Sequence, residues 1–332
     1  EIMSTLYIDR KGIQLKLDGG SIAFYENHER VGAVPLAPIE RVVMRGDVQL
    51  AANILGDLGE RGIGVLILSG RKSKPTMLMA KPHNDASRRI AQYRLSLDEK
   101  FCVGFTQCIL QLKLQGQLSL LQKLRETYLQ SRYPLKLAID TVQNCINNID
   151  NTHTIPSLRG IEGAAAASYF GGFADCLAAR LKFTGRNRQP PKDPLNAILS
   201  LGYTLLHAEA VVALYSAGLD PYIGFYHGLD FGRESLACDL IEPLRPQFDR
   251  MAIEWFQKQE LRIEDFSQTE QGCLMGKAGR TRFYTLFEQQ AEQYRQQLTQ
   301  DVRELIDNLK KFGLNDQIRI QTRKNAIIQK DD

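Results

Sequence analysis

A chain of 332 residues, 43% hydrophobic and 24% charged, has the length for two cores and the composition of an ordinary globular protein, which excludes the disordered and fibrous classes. Its net charge of +4, from 42 basic and 38 acidic residues, is too mild to announce a nucleic-acid protein by itself. No run of eighteen apolar residues occurs, the start EIMSTLYIDR lacks a basic segment followed by an apolar core, and the six cysteines form no CxxC pair, so the expected setting is a reducing cytoplasm. Glu1 and Ile2 precede Met3 and read as an added scar or as the edge of a longer polypeptide.

From the N-terminal end, TLYI, IQLKL, SIAFYE, VGAVPL and IERVVMRG are short β-rich runs punctuated by Gly12, Gly19, Gly20 and Pro38, which predicts the strands of a small sheet or sandwich. A helix over about 50–60 comes next, then VLILS as a buried strand and TMLMAK as a last one. After KPHNDASRR the period changes. Apolar residues recur three and four apart, as at Ile90, Tyr93, Leu97 and Phe101, and the helical pattern lasts almost to the end. The expected fold class is therefore α+β: a small β-rich domain over 3–80, a linker over 81–90, a larger all-α catalytic domain over 91–312, and a polar tail over 313–332 that is flexible or engages a partner. In the last helix Phe283, Phe287, Tyr294, Leu298, Val302, Leu305 and Leu309 form a near-heptad stripe, one face packed on the bundle.

Several motifs fail on physical grounds. Gly62-Ile63-Gly64 sits between a helix and a following strand, the reverse of the order that points a helix N-terminus at a phosphate. GCLMGK is one residue short of a Walker A loop and has Ala278 where a metal-binding hydroxyl is needed, so it reads as a loop and helix start. His207 and Glu209, two apart in an apolar helix, point in different directions and share no metal, which leaves His207 a structural role. No GxSxG elbow occurs and no cysteine has an obvious catalytic histidine beside it, which leaves nucleophilic hydrolase readings weak.

Charge is local where it matters. Arg180, Lys182, Arg186, Arg188 and Lys192 fall in one segment without an acid and with Gly185, Pro190 and Pro191 as breaks. Taken alone this is more often a solvated loop than a phosphate-binding surface.

The stretch GFYHG puts His227 on a loop ahead of the helix ESLACDLIE, for which Ser235 is the expected N-cap. Asp239 and Glu242 lie three apart on one side of that helix, and two carboxylates so close call for a cation between them. With His227 they make a nitrogen-and-oxygen set suited to Mg²⁺ or Mn²⁺; the alternative is an acidic helix start beside a hydrogen-bonded loop histidine. Further back, SLRGIEGAAAASYFGGF places Glu162 among small residues, where a carboxylate needs a charged partner. Arg159 is one candidate partner; the other reading is a pocket of Glu162, the Tyr169 phenol and the basic segment that follows.

The series SLRGIEGAAAASYF, RNRQPPKDPLNAILSLGYTLL, GLDPYIGFYHG and SLACDLIEPLRPQFD, in that order behind a β-rich domain, resembles the CRISPR-associated spacer-acquisition integrase family. The resemblance implies a divalent metal, Mg²⁺ or Mn²⁺, held by a glutamate, a histidine and a later acid, at Glu162, His227 and Glu242. The family often has aspartate at the third place, so Asp239, one turn earlier, stays a candidate beside Glu242. It further implies that the 3′-hydroxyl of a captured DNA fragment attacks a phosphodiester at a CRISPR repeat end, or that water does so in a nuclease reaction. Arg186, Arg188 and Lys192 would follow the DNA backbone and Arg245 would meet the scissile strand, with Arg159 and Tyr169 as further DNA contacts. Implied partners are double-stranded DNA, a second copy in a homodimer, a small ferredoxin-like adaptation protein and, in some relatives, a fused reverse transcriptase. The alternatives are a metal-dependent nuclease without an integration role and a non-catalytic nucleic-acid scaffold.

Overall fold

Alternating apolar residues in the first strands build two four-stranded sheets that face each other. The structure is a computed structural model and describes residues 4–69, 74–79, 85–187, 190–228, 232–270 and 272–313. Strands β1 (Ser4–Asp9), β2 (Ile13–Asp18), β3 (Ser21–Glu26), β4 (Glu29–Pro35), β5 (Ile39–Arg45) and β6 (Val48–Leu50) lead into helix α1 (Ala52–Glu60), then β7 (Gly64–Ser69) and β8 (Lys74–Leu78). One sheet runs β1-β5-β7-β8, its first three strands parallel, and the other runs β4-β3-β2-β6. Ile13, Leu15 and Ile22 of one sheet meet Val42, Met44 and Val65 of the other, and Ile54 and Leu58 of α1 close this smaller core. As expected, α1 precedes Gly64 and a strand follows it.

The helical part comprises α2 (Ala86–Ser96), α3 (Glu99–Thr127), α4 (Arg132–Ile149), α5 (Ile155–Leu181), α6 (Pro194–Ser216), α7 (Ser235–Ile241) and α8 (Arg245–Gln257). Strands β9 (Phe266–Thr269) and β10 (Gly272–Met275) then precede α9 (Lys277–Gly313). Aspartates start three of these helices by accepting a free backbone N–H: Asp85 from Ser87, Asp98 from Phe101, and Asp193 from Asn196 ahead of Pro194. Helix α6 is, among the described residues, the one helix long and apolar enough to cross a membrane, and 56% of its most apolar stretch is buried inside the fold. All seven stripe residues of α9 are buried.

Three expectations need correction. The larger domain is helical as expected except for one antiparallel hairpin, β9 and β10, ahead of α9, and that hairpin places GCLM in a strand rather than a loop. Residues 86–90 belong to α2, since Asp85 caps that helix, while 80–84 lie outside the described residues. The N-cap of α7 is Glu234, not Ser235, whose hydroxyl donates instead to the Gly228 carbonyl at 2.8 Å. The polar tail beyond Gly313 lies outside the described residues.

A buried polar cluster ties the sheets to the helices. Glu209 of α6 lies 3.1 Å from Arg295 of α9 and 2.8 Å from Arg41 of β5, and Arg295 also donates to the Thr5 hydroxyl at 2.6 Å. Tyr7 of β1 donates to Glu288 at 3.1 Å. Each buried charge has an opposite partner, as burial demands. His207 faces the other way and pairs with Glu234 at 2.6 Å, so the two residues diverge as their spacing predicts.

Candidate active site

The buried face of α3 includes Ile109, Leu110, Lys113, Leu114, Gln117, Leu120 and Leu121, which puts an ammonium where the helical period calls for an apolar side chain. Lys113, with a side chain only 8% exposed, reaches Glu162 of α5 on one side and lies 2.6 Å from Glu242 Oε2 on the other. Burial alone would lower the pKa of this ammonium, but Glu242 and Glu162 outweigh it and raise the pKa, so Lys113 stays charged.

Glu242 occupies the turn where α7 ends. Pro243 follows it, and the chain tightens into a 3₁₀ turn over Glu242–Leu244 before α8 begins at Arg245. Arg245 Nε lies 3.0 Å from Glu242 Oε1, and its guanidinium stacks 4.5 Å from the centre of the Tyr203 ring. Burial would push the Glu242 carboxyl up; Arg245 and Lys113 prevail and hold its pKa at about 2. Glu162 is treated alike, burial opposing and Lys113 prevailing, with the result lowered. Its other oxygen, Oε2, accepts from the Tyr226 hydroxyl at 2.7 Å. Each carboxylate therefore has one oxygen pinned by a neighbour, Tyr226 or Arg245, and presents the other to one shared cation position.

The loop before α7 supplies the imidazole. Asp239, fully buried, accepts the backbone N–H of Phe225 at 2.8 Å, of Tyr226 at 3.1 Å and of His227 at 3.0 Å, while its Oδ1 lies 2.7 Å from His227 Nδ1. In a neutral imidazole, a carboxylate at Nδ1 favours the ring proton on that nitrogen, which leaves the Nε2 electron pair for a ligand. Phe225 anchors the loop edge-on to Phe101 and Phe105, with ring centres 5.1 and 4.8 Å apart. A Cβ at Gly224 would lie 2.7 Å from Asp239 Oδ2 and 2.9 Å from Ser235, so only glycine lets the loop approach α7 this closely.

Residues 6–289 match the family described as CRISPR associated protein Cas1. The chain belongs to the CRISPR-associated Cas1 family. It is 42% identical over 296 residues to a Cas1 endonuclease of Thermodesulfovibrio yellowstonii, covering 88% of this chain and 93% of that protein. It is 32% identical over 296 residues to a Cas4 exonuclease/Cas1 endonuclease fusion of Geobacter sulfurreducens, covering 87% of this chain and 53% of the fusion. The Cas1 structure from Thermotoga maritima superposes with a TM-score of 0.80 at 22% identity, over 92% of this chain and 97% of that one. A casposase bound to an integration product superposes with a TM-score of 0.77 at 20% identity, over 92% and 90% of the two chains, and a chain of a Cas6-RT-Cas1–Cas2 complex with 0.80 at 23%, over 93% and 35%. At these identities the superpositions speak for a shared Cas1 fold, a β-rich N-terminal part and a mostly helical remainder.

Within this Cas1 fold the expected site residues separate into those that meet and those that do not. Glu162 and Glu242 meet at Lys113. Asp239 does not share their cation position; it turns to the His227 loop, because three backbone N–H groups need an acceptor there. Tyr169 is no DNA contact. It is fully buried and donates to Asp249 at 2.8 Å, an acid that Tyr203 also contacts and whose pKa burial raises to about 6 against those two hydrogen bonds. The phenol that does touch Glu162 is Tyr226. Arg245 is committed to Glu242 and Tyr203 rather than facing a strand. Arg186 is likewise a loop-builder, donating to Asn196 at 2.8 Å and Ser200 at 3.3 Å and stacking 5.4 Å from Tyr203. Arg159 does not pair with Glu162; it is exposed and donates to the Tyr226 carbonyl at 3.0 Å. Lys182 and Lys192 remain exposed on the basic segment, and Arg188 lies outside the described residues.

The donor types suit a divalent cation: two carboxylate oxygens converge on one point, and Tyr226, next to His227 in the loop, touches one of the two glutamates. Among the described residues no three histidine, cysteine, aspartate or glutamate side chains surround a common point, and the position between the two glutamates is held by Lys113. Lys113 is the residue that sequence reasoning missed, and its signal was a lysine in the buried period of α3.

Proposed function

We propose that this chain is a divalent-metal-dependent DNA endonuclease and integrase of CRISPR adaptation. The observation that carries the reading is the orientation of Glu162 and Glu242, each with one oxygen pinned and the other offered to the same cation position. Glu162 Oε1, Glu242 Oε2 and His227 Nε2 would hold Mg²⁺ or Mn²⁺, which when bound supplies activation of an attacking hydroxyl and charge neutralisation at the phosphate. Asp239 fixes the His227 ring, and Tyr226 and Arg245 keep the carboxylates from rotating away. The oxygen of a DNA 3′-hydroxyl forms one P–O bond to the target phosphodiester as another P–O bond breaks and releases a new 3′-hydroxyl, so no nucleotide cofactor is consumed. With water as the nucleophile the same site hydrolyses the strand. Lys182 and Lys192, both exposed, would meet phosphates without reading bases.

Support comes from the relatives named endonucleases and from the casposase bound to its integration product. The complex that joins Cas1 to Cas2, Cas6 and a reverse transcriptase supports partners of those kinds; a small ferredoxin-like adaptation protein and a second copy of this chain would complete the assembly. The test is joining of a labelled 3′-hydroxyl DNA fragment to a CRISPR repeat duplex, with Mg²⁺, Mn²⁺ or chelator. Product is expected only with metal. Asp239→Asn is expected to reduce joining about 10–100-fold through loss of the His227 orientation, and His227→Ala to reduce it further. Joined product in excess chelator would remove the metal from the mechanism, and cleavage without joining would leave the nuclease reading alone.

A further inference from the structure

We propose that Lys113 is the resident counter-cation of the Glu162–Glu242 pair, and that it must surrender at least one of these carboxylates before a divalent cation can be held there, so that it sets the metal affinity of the site. The proposal rests on the metal-dependent reading above and adds to it a residue that none of the expected ligands includes. Three observations carry it. The ammonium contacts both carboxylates, through Glu162 Oε1 and Glu242 Oε2, the two oxygens that Tyr226 and Arg245 leave available. It sits among the apolar residues of the buried face of α3, so its charge depends on this pair of carboxylates for most of its compensation. And two carboxylates that share a site without a cation repel each other, so metal-free protein needs the lysine in place.

The consequence follows from charge and reach. An ammonium and a divalent ion cannot share one position between two carboxylates, and a unit charge within a few ångström of a doubly charged ion shifts binding by about a decade or more at the effective dielectric of a protein. The four-carbon stem of lysine lets the head move aside without moving its helix. Lys113 thus preorganises the carboxylates before metal arrives and competes for them when it does.

The experiment titrates Mn²⁺ into the full chain, reading free Mn²⁺ by electron paramagnetic resonance and stability by melting temperature. Lys113→Met and Lys113→Gln are expected to bind Mn²⁺ at least tenfold more tightly than wild type, to melt lower without metal, and to show a wider gap between metal-free and metal-saturated melting temperatures. The glutamine variant keeps two amide donors for the two carboxylates and guards against a methionine variant that fails to fold. A folded Lys113→Gln with wild-type or weaker Mn²⁺ affinity overturns the proposal. Glu162→Gln separates the two readings. If it leaves Mn²⁺ binding unchanged, or wild type binds no Mn²⁺, the metal site itself falls and the lysine exchange with it; if it abolishes binding while Lys113→Gln matches wild type, the exchange alone falls. In unmutated protein, amine labelling of Lys113 followed by peptide mass spectrometry is expected to speed up several-fold with Mn²⁺, and an unchanged rate overturns the exchange.

Discussion

Glu242→Ala is expected to lower folding stability by about 3–5 kcal/mol, the range for removing one partner of a buried ion pair. The reason is that Glu242 answers to two cations. Its carboxylate, 5% exposed, lies between Lys113 and Arg245, so its removal leaves a buried ammonium and a mostly buried guanidinium short of their counter-charge. Glu162→Ala is expected to be milder, because Glu162 is 25% exposed and water can replace part of what it gives Lys113. Denaturant unfolding without metal measures both, and equal losses would contradict the assignment of Glu242 as the deeper anchor.

The same carboxylate sets a direction with pH. The folded protein holds the Glu242 pKa at about 2, whereas an unfolded chain binds that proton near ~4.3. Its contribution to stability is therefore complete above the unfolded value and is lost as pH falls from there towards the folded one. Glu242→Ala, lacking this term, is expected to lose less stability across that acid window than wild type does.

Much of the fold was legible because its signals are local. Short β-rich runs such as IQLKL and SIAFYE became strands, and the near-heptad stripe of α9 is buried throughout because that face of the helix packs on α2 and α6. Glu162 stood out for a different reason, as an acid among small residues, and Glu242 as one of two carboxylates three apart behind a loop histidine. What stayed hidden was who answers them. Lys113 comes from another helix, and Tyr226 was passed over for Tyr169, since spacing along α5 says that Tyr169 lies on the helix but not that its face turns into the core towards Asp249. Asp239 and Glu242 look alike on a helical wheel. The loop that brings Phe225, Tyr226 and His227 to one carboxylate, and the turn at Pro243, give them separate tasks.

The largest steric effect is expected at a position with no chemistry of its own. A Cβ on Gly202 of α6 would lie 1.9 Å from Phe248 Cζ, 2.2 Å from Cε1 and 2.6 Å from Cε2. The Phe248 ring has no room to retreat, being fully buried and edge-on to Trp255 at 5.8 Å, with Phe287 at 6.2 Å. Alanine gains about 1 kcal/mol over glycine in a helix interior, but overpacking a well-filled core costs about 1–3 kcal/mol and more where the overlap is this deep. Gly202→Ala is therefore expected to destabilise by about 3 kcal/mol or more, at or beyond the upper end of that range. Gly104→Ala on α3, where an added Cβ meets nothing within 4 Å, is expected to be neutral or mildly stabilising. The damage should also travel, because Phe248 packs against Tyr203 at 6.0 Å and Tyr203 carries the guanidinium of Arg245 that pins Glu242. Joining activity measured below the melting temperature of Gly202→Ala is accordingly expected to fall, and adding Phe248→Leu, which frees the volume of the ring edge, is expected to restore part of the stability. Full stability of Gly202→Ala in urea unfolding would mean that α6 and α8 can separate at this crossing, and the close approach assigned to Gly202 would then be wrong.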